Sequence, residues 1–282
     1  MSIIGIIAGS GQFPFLVARG AKKMGHTVVA VGFDGNTDEK IAEECSAYLQ
    51  VNIGQVGKLI EFLKAQGVTQ LCMAGAINKP KAVAIKPDFR ATKMLFKLAG
   101  NRGDDAILRL FAEEIKSEGI EVVKPEVLVP SLLHSEHGLL AGPVPTPEQW
   151  EDIILGWEKA KAIGLHDIGQ CVAVCMGAIV AVEAIEGTDA LIRRAGELIS
   201  SGTTLVKVFK PRQDERLDKP SLGSQTIQLL VEHKFACLAF EAGKVLFFDR
   251  EESLRMAHEH GISVIAIPEE AEAFFAQETA KK

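Results

Sequence analysis

Short apolar runs alternate with amphipathic stretches along the first 120 or so residues of the chain. Residues 3–8 (IIGIIA) are apolar throughout, the pattern of a central strand buried on both faces of a parallel sheet. Gly9-Ser10-Gly11 turns the chain, and 13–23 has the spacing of a helix with one apolar face. A second strand is predicted over 26–33, ending in Asp34-Gly35, and a short third over 48–52. An amphipathic helix over 56–66 and a fourth strand over 70–76 follow. Strands alternating with helices in this order predict an α/β domain with a Rossmann-like, doubly wound sheet. Residues 83–119 read as two helical pieces broken near 100–103, and 120–123 as a fifth strand. Asp104 and Asp105 head the second piece, where acids suit a helix N-terminus.

The pattern changes at 125–147, which holds five prolines, Gly138 and Gly142 and little periodicity. It reads as a linker between a nucleotide-binding domain, 1–124, and a second domain, 148–282. Thr146-Pro147-Glu148 then opens a helix as an N-cap with proline in the first turn. Beyond it the pattern predicts one buried strand over 171–182, a helix over 189–198 and a strand over 203–209. A helix over 226–232, a hairpin of 237–241 with 244–248, a helix over 251–260 and a last strand over 262–267 complete a distinct C-terminal α/β domain.

Composition narrows the function classes. A net charge of -6 with no Lys/Arg-rich block excludes a nucleic-acid footprint. The five cysteines show no CxxC spacing, so neither a zinc site nor a disulfide framework is indicated. Cys171 and Cys175 share strand parity and are expected to face one core. No apolar run approaches the ~20 residues of a spanning helix. The opening segment lacks the positive region and apolar length of a signal peptide. The expectation is a cytoplasmic protein with at most peripheral contact with a membrane.

Two stretches carry candidate chemistry. The first turn resembles a dinucleotide fingerprint, but Pro14 stands where the third glycine of GxGxxG belongs, which speaks against NAD. Gly9 and Gly11 still let main-chain N–H groups approach an anion at a helix start, with Ser10 and Gln12 between and after them. Gly75 and Lys79 follow the fourth strand, at the sheet end where such folds bind ligands. Asp34 reads as a surface turn residue, and His134 and His137, with no third ligand, as loop histidines. The second stretch is 183–226, in which Glu183, Glu186, Asp189, Lys207, Lys210, Asp214, Glu215, Arg216 and Asp218 lie beside strand-like runs. Carboxylates mixed with Lys and Arg suit a divalent cation and a phosphate held together. A solvated loop of salt bridges fits the same charges.

The segments IIAGSGQFP, GLHDIGQ, EAIEGTDALIRR, LVKVFKPRQDERLDKPSLGSQTI and EAGKVLFFDREE, in this order and spacing, resemble the LpxI-type UDP-2,3-diacylglucosamine pyrophosphatases of lipid A biosynthesis. The resemblance covers essentially the whole chain. It implies hydrolysis of UDP-2,3-diacylglucosamine to UMP and 2,3-diacylglucosamine 1-phosphate (lipid X), assisted by Mg2+ or another divalent cation. It also implies an N-terminal Rossmann-like domain and a distinct C-terminal domain. Asp218 is then the essential acid, as metal ligand or water-orienting group, with Asp214 second. Asp189 and Glu183 are further candidate metal ligands. Lys207 is a catalytic phosphate-binding cation, with Arg216, Arg193 or Arg194 able to serve as well, and Gly9, Ser10, Gly11, Gln12, Gly75, Lys79, Thr188 and Arg216 are candidate substrate contacts. The family commonly has an aliphatic residue where this chain has Lys219, which puts local exposure there in question. Acyl-chain lining is expected from Phe89, Met94, Leu95 and Phe96 or from Leu132, Leu133, Leu139 and Leu140. The substrate's amphiphilic character implies transient contact with the inner membrane, and a homodimer is left open. A non-catalytic nucleotide-sugar binding or sensing module is the alternative reading.

Overall fold

The computed structural model describes residues 2–77, 87–98 and 104–280. The chain divides into two compact units, Met1–Ser131 with Asp214–Asp218, and Leu132–Gln213 with Lys219–Lys282.

The first unit is built on a parallel sheet of β1 (Ile3–Ala8), β2 (Thr27–Phe33), β3 (Ala47–Val51), β4 (Gln70–Ala74) and β5 (Glu121–Val122), in the order β3-β2-β1-β4-β5. Successive side chains of a strand point to opposite faces. Ile4, Ile6 and Ala8 therefore pack with Val17, Ala18 and Ala21 of the helix Phe13–Lys23. Ile7, Val29 and Val31 pack on the other face with Leu59, Ile60 and Leu63 of Val56–Ala65 and Ile115 of Asp104–Ser117. Helices on both faces make the sheet doubly wound, as the strand–helix order predicts.

β1 pairs with β2 on one side and β4 on the other, so its carboxyl end is the point where the strand order reverses. Two glycines hold the turns there. A Cβ on Gly9 would lie 2.5 Å from the Gly75 carbonyl, and one on Gly75 would lie 2.5 Å from the Ser10 carbonyl oxygen. The crossing is fixed by Gly9 N–H donating to Ala74 O at 2.7 Å and Ser10 N–H to Ala76 O at 2.8 Å. Any larger side chain at either position forces two main chains apart.

The second unit holds β6 (Gly138–Ala141), β7 (Cys171–Cys175), β8 (Ala178–Val182), β9 (Thr204–Lys207), β11 (Cys237–Glu241) and β13 (Ser263–Ile267) in one sheet, ordered β6-β13-β11-β9-β7-β8. β9, β11 and β13 are parallel, while β6 and the β7–β8 pair run antiparallel to their neighbours. One face packs Trp150, Ile153 and Ala160 of the helix Pro147–Leu165 and the Phe274–Phe275 pair. The other packs the helices Thr188–Leu198, Ser224–Glu232 and Arg250–Glu259.

Two expectations are corrected here. The run 171–182 is not one strand but the hairpin β7–β8. Met176 and Gly177 both take left-handed φ, 50° and 72°, and the buried Asp152 carboxylate accepts their N–H groups at 3.1 and 2.7 Å. A residue 24 positions earlier in the chain therefore stabilises a turn that the unbroken apolar pattern conceals. Residues 244–248 do not fold back on β11. They form β12 (Leu246–Phe247), which pairs in parallel with β10 (Ser221–Leu222). The proline-rich stretch carries structure of its own: Pro125–Val127 forms a helical turn in the first unit, and β6 is an edge strand of the second.

Candidate functional site

Among the residues singled out by sequence, the structure groups some in the first unit and some in the second. In the first, Gly9, Ser10, Gly11 and Gln12 join β1 to its helix, and Gly75 follows β4. Ser10 Oγ donates to Ala76 O at 3.0 Å, as does Asn36 Nδ2 at 3.1 Å. Gly11 takes φ of 85°, a conformation that glycine adopts without strain. Gly9 and Gly75 thus have a packing duty whatever they bind. Lys79 lies outside the described residues.

The segment Asp214–Asp218 belongs to the first unit although the chain on either side of it belongs to the second. Leu217 is buried in the first unit's core with Leu71 and Val122, and Glu215 pairs with Lys124. The turn is closed by Leu217 N–H donating to Asp214 O at 3.0 Å. Arg216 grips Asp214 with a fork, Nε to Oδ1 at 3.0 Å and Nη2 to Oδ2 at 2.6 Å, while its main-chain N–H adds a bond at 3.0 Å. Asp218, by contrast, is exposed.

The fork has an electrostatic consequence. Hydrogen bonds from Arg216 hold the Asp214 carboxyl below its usual range, against an opposing effect of burial, with Arg109 adding a favourable charge. An acid whose folded pKa is depressed stabilises the fold above its unfolded pKa and loses that contribution as pH falls through the folded value. The stability difference between wild type and Asp214→Asn should therefore be full near neutral pH and shrink below about pH 4, the ordinary aspartate value. Urea midpoints at three pH values measure it, and a difference that widened towards acid would refute the assignment.

In the second unit, a chain of buried polar groups joins three elements. Lys207, the last residue of β9, donates from Nζ to Thr188 Oγ1 at 2.9 Å and to Ser221 O at 2.7 Å. The Thr188 hydroxyl donates in turn to Glu183 Oε1 at 2.8 Å, and Glu183 Oε2 accepts the Gln170 N–H at 2.9 Å. Lys207 and Glu183 are only 5% and 6% exposed, so the two charges lie away from water with a hydroxyl between them. They lie beside Cys171, whose thiol is pushed up by burial first and then by the Glu183 carboxylate, with Lys207 opposing.

Other candidates have structural partners. Asp189 sits in the first turn of its helix, where a carboxylate suits the dipole, and accepts from Gln225 Nε2 at 2.9 Å. Arg194 ties the same helix to Val182 O and Glu186, while Arg193 is exposed. Lys219 is buried. His134 is also buried, against Phe240, and burial together with the nearby Arg250 lowers its pKa. Of the acyl-lining candidates, Phe89 and Phe96 stand 87% and 83% exposed, while Met94 and Leu132 are buried.

Of the four acids expected to bind metal, Asp214 and Asp218 belong to the first unit and Glu183 and Asp189 to the second. Among the described residues there is no group of three or more His, Cys, Asp or Glu side chains placed to hold an ion. Both oxygens of Glu183 and of Asp214 already accept hydrogen bonds. Asp218 is the exposed carboxylate among these three. Magnesium commonly takes one or two carboxylates and completes its shell with water and substrate phosphates, and Asp218 suits that mode. A cavity of about 440 Å³ in the second unit is lined by Glu148, Asp152, Cys175, Met176 and 198–202 among others. None of the sequence-derived site residues lines it.

Sequence reasoning missed one cluster. Glu241, 4% exposed at the end of β11, accepts from Lys161 Nζ at 2.6 Å and from Phe209 N–H at 2.8 Å, and Lys161 also donates to Phe209 O at 3.1 Å. Lys210 pairs with Asp167 at 2.6 Å just beyond it. A glutamate inside the apolar run CLAFE was the one available signal.

Family models for the LpxI N-terminal and C-terminal domains match residues 3–132 and 136–265. The UDP-2,3-diacylglucosamine pyrophosphatase LpxI of Caulobacter vibrioides is 34% identical over 282 aligned residues, covering 95% of this chain and 98% of that protein. Among solved structures, the biotin carboxylase domain of Hydrogenobacter thermophilus 2-oxoglutarate carboxylase aligns with a TM-score of 0.27 and 14% identity, over 69% of this chain and 40% of that one. For N5-carboxyaminoimidazole ribonucleotide synthetase from Thermotoga maritima the TM-score is 0.25 and the identity 14%, over 65% and 41%. Likenesses at these scores carry no argument.

Proposed function

The chain belongs to the LpxI family, and from that premise we propose that it hydrolyses UDP-2,3-diacylglucosamine to UMP and 2,3-diacylglucosamine 1-phosphate in lipid A biosynthesis. The observation that carries this reading is the match of both family domains, in order, along the chain.

Breaking a phosphoanhydride requires neutralised phosphoryl oxygens and an oriented water. Asp218 is the group we assign to this task, because the resemblance to the family's QDERLDKP motif marks it and its side chain is exposed. It would hold a magnesium ion together with the substrate's own diphosphate. When bound, that ion would neutralise phosphoryl charge and acidify a water. Asp214 and Arg216 stiffen the turn that presents Asp218. Lys207 is the cation we assign to phosphate, with two of its three donors occupied by Thr188 and Ser221. The glycine turn at Gly9–Gln12 offers main-chain donors at a helix start for a nucleotide phosphate.

The exposed Phe89 and Phe96, seven residues apart on one helix, offer an apolar face for acyl chains or the inner membrane surface. No described helix is long and apolar enough to cross a membrane.

The test is release of UMP from UDP-2,3-diacylglucosamine by the purified full-length chain. Turnover with magnesium, suppressed about 100-fold or more by EDTA, is the expected result, given what removal of a transition-state charge costs. Binding of the substrate without UMP release under any divalent cation would replace the hydrolase with the nucleotide-sugar binding module.

A further inference from the structure

The main chain of Lys207 is held on both sides, opposite Cys171 of β7 and Phe240 of β11. Its ammonium is left with the freedom of the side chain alone, and two acceptors remove that. Nζ donates to Thr188 Oγ1 at 2.9 Å and to Ser221 O at 2.7 Å. An ammonium has three N–H groups and nothing to accept with. The third N–H is therefore the one left for a phosphoryl oxygen, and the two acceptors decide where it points.

One of those acceptors can turn. A hydroxyl rotates, and it both donates and accepts. The Thr188 hydroxyl gives its hydrogen to Glu183 Oε1 at 2.8 Å, which leaves its lone pairs for Lys207. Glu183 is itself held: Oε2 accepts the Gln170 N–H at 2.9 Å, and its own N–H donates to Cys171 O at 2.9 Å. A carboxylate offers only acceptors, so the line from Lys207 through Thr188 to Glu183 runs in one direction. Thr188 also opens a helix, where a threonine often caps the first amides. Here the N-cap is Gly187, with no side-chain cap bond, and the hydroxyl serves the Lys207–Glu183 line instead.

We propose that Thr188, oriented by Glu183, is a positioning residue for the hydrolysis: its hydroxyl aims the Lys207 ammonium so that one N–H meets a phosphoryl oxygen of the substrate. The proposal rests on the hydrolase reading above and on Lys207 as its phosphate-binding cation. Thr188 touches no reacting atom and acts through Lys207. Glu183, Thr188, Lys207 and Ser221 all belong to the second unit. Misplacing a reacting group by about 1 Å can cost a hundredfold in rate, so a lost aim should be measurable.

The experiment compares full-length Thr188→Val, Thr188→Ala, Thr188→Ser, Lys207→Met and the Thr188→Val/Lys207→Met and Thr188→Ala/Lys207→Met double variants with wild type. Each is measured for kcat and KM of magnesium-dependent UMP release per folded molecule and for thermal midpoint. Thr188→Val keeps the side-chain shape and removes the hydroxyl. Thr188→Ala removes it without setting a methyl beside two charges, so it carries the test where the valine variant folds poorly. The expected result for both is a fall in kcat of about tenfold or more, with KM within about threefold. Thr188→Ser, which keeps the hydroxyl, should stay within about threefold of wild type in kcat. In the Lys207→Met background the same two changes should alter kcat by less than about twofold, because no ammonium remains to be aimed. Wild-type kcat in folded Thr188→Val and Thr188→Ala, with only the thermal midpoint lowered, would reduce the hydroxyl to a structural one and overturn the proposal. An equal fall with and without the Lys207 ammonium would overturn it too, by making Thr188 act on substrate directly. Wild-type kcat in Lys207→Met would overturn it by removing the cation from the reaction. Absence of UMP release by wild type would instead overturn the hydrolase reading and this inference with it.

Discussion

Replacing Asp218 with alanine should lower magnesium-dependent UMP release by about 10³-fold, the scale on which losing one group that stabilises a transition state is felt. Binding of UDP-2,3-diacylglucosamine should persist. Asp214, four residues earlier, gives both carboxylate oxygens to Arg216, and Glu183 gives both of its own to Thr188 and Gln170. Asp218 is exposed at the end of a turn anchored by buried Leu217 and by the Glu215–Lys124 pair. Its side chain is exposed, so its removal opens no buried cavity, and any loss of stability should stay within about 1 kcal/mol. Rates, equilibrium binding and urea midpoints on one preparation separate the cases. Turnover within tenfold of wild type would move the chemistry to another acid, and loss of binding together with activity would make Asp218 a substrate anchor.

The fold was legible wherever local pattern and tertiary surroundings agree. Runs such as 3–8 and 27–33 are buried on both faces by helices, and the glycine turn after β1 marks itself. Where the pattern failed, a distant residue decided the outcome. Nothing in CVAVCMGAIVAV marks Met176-Gly177 as a turn, because the carboxylate that accepts its N–H groups comes from Asp152. The glycine at 243 suggested a hairpin, but Leu246 and Phe247 meet Ser221 and Leu222 instead of β11. The stretch 125–147, within which the division between the two units falls, also holds a helical turn and an edge strand, structures that use the same prolines and glycines as a linker.

The site was legible as a set of charges and less so as a set of partnerships. The density of acids and bases in 183–218 and the family motifs singled out this stretch of chain, yet spacing could not show that Arg216 would fold back on Asp214 two residues away. Glu183 and Lys207 stood out as charges beside apolar runs, but the hydroxyl that joins them, Thr188, was visible only as a helix-start residue. Glu241 and Lys161 lie 80 residues apart, one on a strand and one on a helix, and meet only in the folded unit. Buried charges are costly enough that each must find a partner, and the partner's identity is tertiary information.

That reasoning makes Lys207→Met the second large effect. Removing the ammonium leaves the Glu183 carboxylate buried with a hydroxyl and one amide for company, and strips Ser221 O of its donor. Breaking a buried charge network from one side costs about 3 kcal/mol or more, and the urea midpoint should fall accordingly. UMP release should fall as well, by about 100-fold if Lys207 also meets a phosphoryl oxygen. The double variant Lys207→Met/Glu183→Gln separates the two roles. The glutamine amide it places at position 183 is neutral, and its oxygen can still accept from Thr188 or from the Gln170 N–H, so much of the stability should return. A phosphate-binding ammonium cannot be replaced in this way, and turnover should stay low. Turnover that recovered in step with the midpoint would show that Lys207 serves only to lock Thr188 and Ser221 to the end of β9. A midpoint unchanged in the single variant would mean that the Glu183 carboxylate does not depend on Lys207 at all.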